Sequence, residues 1–157
     1  MKRSILLVAL GVAVLALVVG AALATPPKKA TTTPITRVTL GTFAAQNAGI
    51  KVESQGTSAD VATVKVVIEP GGSTGWHRHP GVGLASVKSG TVTFYDEKCK
   101  KSAYKAGEGF LESHHPMLVR NHGKVKAVFY ATFIIPTKTT EEGLRIDVPK
   151  PKGCNVT

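Results

Sequence analysis

Residues 71–90 read Gly-Gly-Ser-Thr-Gly-Trp-His-Arg-His-Pro-Gly-Val-Gly-Leu-Ala-Ser-Val-Lys-Ser-Gly, and this stretch limits what the rest of the chain can become. It is too rich in glycine and proline for a helix, where each glycine costs roughly 1 kcal/mol and a proline about 3 kcal/mol. In an extended chain successive side chains point to opposite faces, so His77 and His79 share one face and Arg78 takes the other. Two imidazoles two residues apart on one face can grip a single metal ion. The same residues also suit two surface histidines beside a turn, since Pro80 and its neighbouring glycines are turn formers.

The remainder repeats this short-strand character. Residues 61–68 alternate, with Val64, Val66 and Ile68 on one face, and residues 37–40 and 49–52 are shorter strand candidates. Residues 82–88 and 91–96 flank Ser89-Gly90 at hairpin spacing. Residues 125–135 form a run rich in β-branched and aromatic side chains that stops at Pro136. A helical turn is allowed near Glu141-Glu142-Gly143. Beyond the first residues no apolar period of 3.6 persists for three turns, so the chain of 157 residues is expected to form one antiparallel all-β domain.

The first 24 residues open with Lys2 and Arg3, continue through an apolar run and close on Ala22-Leu23-Ala24, the pattern of an export signal cleaved after Ala24. If the leader stayed in place, its apolar length would serve as a membrane anchor. The expected organisation is a signal peptide over 1–24, a Pro- and Thr-rich linker over 25–34, and the domain with its C-terminal tail over 35–157. In an exported chain, whether periplasmic, extracellular or held at the cell surface, Cys99 and Cys154 form the expected disulfide. The net charge of +10 is spread over scattered Lys and Arg without interleaved aromatics. It reads as a solvated surface rather than a nucleic-acid groove. The chain also lacks a Gly-x-Ser-x-Gly elbow, a phosphate-binding glycine loop, a dinucleotide fingerprint and a His-Glu-x-x-His pair.

Two motifs in order resemble the cupin superfamily. Its first motif is Gly, five residues, His-x-His, three or four residues, Glu, six residues and Gly; Gly71, His77, His79 and Gly90 match, while the Glu slot holds Gly83. In the second motif Gly107 and Asn121 sit suitably, the ligand slot four before Asn121 holds Met117, and Glu112-Ser113-His114 replace Pro-x-Gly. The resemblance spans about residues 61–136 and is closest to small exported bacterial cupin-domain proteins of unassigned role. It implies a single double-stranded β-helix, the cupin jelly-roll barrel, with metal held by three His and one Glu. A homodimer through the outer strands is a further implication.

His115 lies two residues before Met117, so strand parity offers it as the replacement ligand. The expected metal set is His77, His79 and His115, with Met117 as a soft fourth ligand or as a packing residue. In the other strand phase His114 and Glu112 share a face and present an imidazole and a carboxylate. The cofactor expected is a divalent transition metal, Zn, Fe, Ni, Cu or Mn, with a bare pocket as the alternative. The expected partner is a small molecule, with no nucleic acid, and with a membrane only if the leader is retained. The functional alternatives are a metal-binding cupin with a small-molecule pocket, a metal-free ligand-binding module, and a metal-dependent enzyme of the dioxygenase or isomerase type. Catalytic residues are not identified by the sequence.

Overall fold

The structure, a computed structural model, describes residues 24–157. The signal peptide expected over 1–24 therefore lies, Ala24 apart, outside the described residues. In chain order the strands are β1 (Lys28–Leu40), β2 (Ala44–Asn47), β3 (Ile50–Glu53), β4 (Ala59–Ser73), β5 (His77–Arg78) and β6 (Val82–Ser89). They continue as β7 (Thr91–Tyr95), β8 (Lys101–Lys105), β9 (Gly109–Glu112), β10 (Leu118–Arg120) and β11 (Ala127–Pro136). A 3-10 turn at Glu142–Leu144 and β12 (Ile146–Asp147) follow, so the helical turn expected near Glu141 is present.

The barrel is built on β4 and β11, which pair antiparallel in the register Phe129↔Val66, Ala131↔Val64 and Phe133↔Ala62. These residues alternate with partly exposed ones and all face inward, where Val87, Val92, Phe110 and Val119 meet them. Each buried Val, Ile or Phe contributes about 1.5–3 kcal/mol relative to exposure, so period-2 burial along both strands sets their register. The main sheet runs β8-β7-β10-β4-β11-β6-β9, with β1 on the other side of β4. β4 belongs to both halves of the barrel: its body pairs with β11, and its far end at Ser73 pairs with Arg120 of β10. The buried Asn121 pins the bend between them, donating from Nδ2 to the carbonyls of Ile68 and Val125 at 2.9 and 2.8 Å.

Two expectations differ from this arrangement. Residues 82–89 and 91–95 are strands but not a hairpin: β6 pairs with β11 and β9, whereas β7 pairs with β8 and β10. Gly90, at φ +73°, turns the corner between the two halves, and a Cβ there would lie 2.8 Å from Ala127 Cα. The hairpin that follows the corner is β7–β8, around Asp96, and β2–β3 forms a tighter one with Ala48-Gly49 at its turn. The segment expected as a linker forms the first half of β1 from Lys28 onward, because the edge of β4 offers it a ladder. Pro34 falls at a register shift, where a missing N–H is tolerated. At the other end Cys99 and Cys154 are joined in a disulfide. The tail packs under Trp76, whose Nε1 donates to the Val156 carbonyl at 2.9 Å.

Candidate metal centre

The His-x-His segment is held from both sides. His77 exchanges two backbone hydrogen bonds with Met117 (2.9 and 2.8 Å), and the His79 amide donates to Ser113 at 3.0 Å. On the other side β12 pairs Ile146 with Arg78 and Asp147 with His77. Between these partners the segment is extended, so His77 and His79 are buried and Arg78 is exposed.

Both imidazoles are oriented through Nδ1. That of His77 lies 2.9 Å from the Gly75 carbonyl and that of His79 lies 2.6 Å from the Leu144 carbonyl. A carbonyl can only accept, so Nδ1 carries the proton in each ring and Nε2 is left with its lone pair. This is how metal-binding histidines are held by their outer partners. Phe133 lies against His79, with ring centroids 4.3 Å apart, and restricts it further. The third group is Glu112 at the end of β9, whose Oε2 is 3.5 Å from His79 Nε2. One ligand atom from each of His77, His79 and Glu112 lies within 4.8 Å of the others. An ion about 2.1 Å from two ligands holds them at most about 4.2 Å apart. At tetrahedral or octahedral angles that separation falls to about 3.0–3.4 Å, so closing the set takes side-chain movements of about an ångström.

Burial dominates the electrostatics. It holds His77 well below the usual imidazole range and brings His79 down to about 4, so both rings are neutral at pH 7. It pushes the Glu112 carboxyl up to about 7, with Arg145 pulling in the opposite direction. His79 Nε2 is buried without any hydrogen-bond partner. A buried unpartnered acceptor is costly. An orphaned lone pair, a second free Nε2 and a carboxylate lacking a full counter-charge form a donor set that a divalent transition metal fits.

The three residues of the cluster line a cavity of about 550 Å³. Val64, Val66, Phe129 and Phe133 form its inner wall, and residues of β1 and the 3-10 turn form its mouth. Arg145 enters beside the cluster. Its Nη2 donates to the Thr74 carbonyl (2.5 Å) and pairs with Asp147 (2.7 Å), while its Nε is buried and unpartnered.

His77 and His79, expected as ligands, are thus brought together with Glu112, which the sequence offered as an alternative. His115 is not among the three: it and His114 are exposed in the loop after β9, their rings stacked on each other with centroids 4.0 Å apart. The reason is that β9 ends at Glu112 and β10 begins at Leu118, so strand parity does not carry across the intervening loop. Met117 is buried beside His77 and held to it by backbone bonds, outside the cavity lining. Leu144 and Arg145 carried no signal in the sequence, since they approach the histidines across some 65 residues of chain.

No protein-family model and no curated protein matches the sequence. Among solved structures, an uncharacterised conserved protein with a double-stranded β-helix domain from Klebsiella pneumoniae is 20% identical at a TM-score of 0.48, over 57% of this chain and 76% of that one. A predicted oxalate decarboxylase from Thermotoga maritima is 22% identical at 0.43, over 50% and 81%. The Cupin 2 domain of an XRE family transcriptional regulator from Enterobacter cloacae is 12% identical at 0.47, over 71% and 100%. The fold stands on the chain's own strand order, β8-β7-β10-β4-β11-β6-β9 with β1 beside β4, which makes the described residues an all-β, double-stranded β-helix barrel.

Proposed function

We propose that this is a small exported cupin-fold protein that binds one divalent transition metal through His77, His79 and Glu112 and admits a small molecule to the adjoining cavity. The observation that carries the reading is the buried, unpartnered Nε2 of His79 beside the Glu112 carboxylate. Without a metal, that buried acceptor has no hydrogen-bond partner among the protein's own groups, a desolvation cost a metal would offset. Three protein ligands leave coordination positions open, as sites that meet a substrate require. The export component rests on the disulfide, a bond that persists in oxidising compartments.

The donor set favours an enzymatic version as the second reading. Two histidines and one carboxylate form the ligand set of non-haem Fe(II) oxygenases. A metal there supplies Lewis acidity or redox chemistry. The chain's own part is to fix both Nε2 atoms through Gly75 and Leu144, to hold Glu112 in place and to keep the site dry.

Elemental analysis of protein purified without a metal-affinity tag, beside the His77→Ala/His79→Ala variant, tests the proposal. About one equivalent of a transition metal in the wild type and none in the variant is the expected result. Absence of metal from both after reconstitution would refute it in favour of a metal-free binding module. Oxygen uptake by the loaded protein in a substrate screen separates the enzymatic version.

A further inference from the structure

We infer that the cavity takes an amphipathic monocarboxylate, its carboxylate seated between Arg145 and the metal position and its apolar body against Val64, Val66, Phe129 and Phe133. This rests on the metal-centre reading for the far partner of the carboxylate, while the apolar body and the Arg145 contact stand on the cavity itself.

Three observations define the ligand class. The lining combines two kinds of surface: His77, His79, Glu112 and Arg145 lie near one another, and the buried Val64, Val66, Phe129 and Phe133 supply aliphatic and aromatic wall. The cavity volume of about 550 Å³ falls within the range of small-molecule sites. A diacid of a few atoms would leave the apolar walls wet, whereas a phenyl or short alkyl body would dry them. Among the polar groups, Nη2 of Arg145 is spent on Thr74 and Asp147, but Nε is buried with no acceptor. A carboxylate oxygen is the acceptor that this charged donor prefers.

The mouth argues against a second negative charge on the ligand. Glu141 and Glu142 are exposed there, and both lining arginines are already paired, Arg37 with Asp60 at 2.8 Å through Nε and Arg145 with Asp147 at 2.7 Å through Nη2. A distal carboxylate would face those two glutamates, so the ligand carries one acidic head.

The test is titration calorimetry of the full exported protein with 3-phenylpropionate, oxalate and the neutral 3-phenylpropanamide, with metal content measured on the same samples. The expected result is 3-phenylpropionate binding at least tenfold tighter than either of the others. Arg145→Gln should weaken it at least tenfold while metal content stays near one equivalent, and Arg145→Lys should restore part of the loss. Oxalate binding as tightly as 3-phenylpropionate would overturn the proposal, as would equal binding of acid and amide, or an Arg145→Gln variant that binds like wild type. Arg145-dependent binding of the acid to protein that holds no metal would refute the metal centre and leave this ligand assignment standing. Metal without acid binding would do the reverse.

Discussion

Gly83 and Glu112 are direct partners across the β6–β9 ladder. The position at which the cupin pattern expects a glutamate is thus a glycine, and the carboxylate reaches the histidines from the neighbouring strand. The two residues depend on each other sterically: a Cβ on Gly83 would lie 2.5 Å from Phe133 Cε1 and 3.1 Å from Glu112 Cβ. Gly83→Ala should therefore displace both side chains, lower metal affinity and destabilise the fold by about 1–3 kcal/mol. Metal titration and chemical denaturation of the variant check this.

Replacing a ligand and replacing a neighbouring histidine should have opposite outcomes. His79→Ala and Glu112→Gln are each expected to lower metal affinity more than about 100-fold, beyond the 10–100-fold typical of outer-shell changes. His114→Ala and His115→Ala, both in the exposed loop, should leave it unchanged. Competition with a chromophoric chelator measures all four.

The metal-free protein should show an acid response with opposing contributions. His79 protonates near 4 when folded and near 6.5 when unfolded, so its contribution, with that of His77 in the same direction, is lost as pH falls from 6.5 towards 4. Glu112 protonates near 7 when folded and near 4.5 when unfolded, so its contribution grows as pH falls through that window. The His79 and Glu112 shifts are each worth about 3 kcal/mol. Glu112→Gln removes the opposing contribution, and its stability should fall more steeply with acid than the wild type's in denaturation curves at pH 4–7.

Metal uptake should release a proton below the Glu112 pKa and none above it. At pH 6 the carboxyl is protonated, since burial holds it near 7, and it must ionise to coordinate. Calorimetry in buffers of different ionisation enthalpy should give about one proton released at pH 6 and close to none at pH 8.

The disulfide should matter for the site as well as for the fold. It closes a separation of 55 residues and anchors the tail that reaches Trp76, the neighbour of His77. In the chain-entropy view Cys99→Ser/Cys154→Ser should cost about 4 kcal/mol. Trp76 fluorescence on denaturation reads the stability, and metal retention under dialysis reads the effect on the site.

The barrel and the histidine pair were legible because both depend on a period of 2. Val64, Val66 and Ile68 alternate inward, and His77 and His79 follow the same rule on a segment paired on both sides. Glu112 was legible only as one of two phases, since which one is used depends on where β9 stops. The break at Ser113–Met117 is set by contacts to His77 and His79, not by local composition. Gly90 read as a hairpin because turn chemistry does not reveal which strands a corner separates. Arg145 and the Leu144 carbonyl belong to tertiary contacts with no local pattern.

The segment after β11 also dates the site. Every strand of the main barrel sheet is complete by Pro136, yet the carbonyl that orients His79 and the guanidinium beside Glu112 come later, at Leu144 and Arg145. During synthesis the barrel strands emerge first, with the His79 ring still free to turn, and the centre acquires its final geometry only when the last twenty or so residues fold back over β5. If the proposed metal binds, a chain that stops at Pro136 would offer it the His79 ring without the Leu144 carbonyl that orients it.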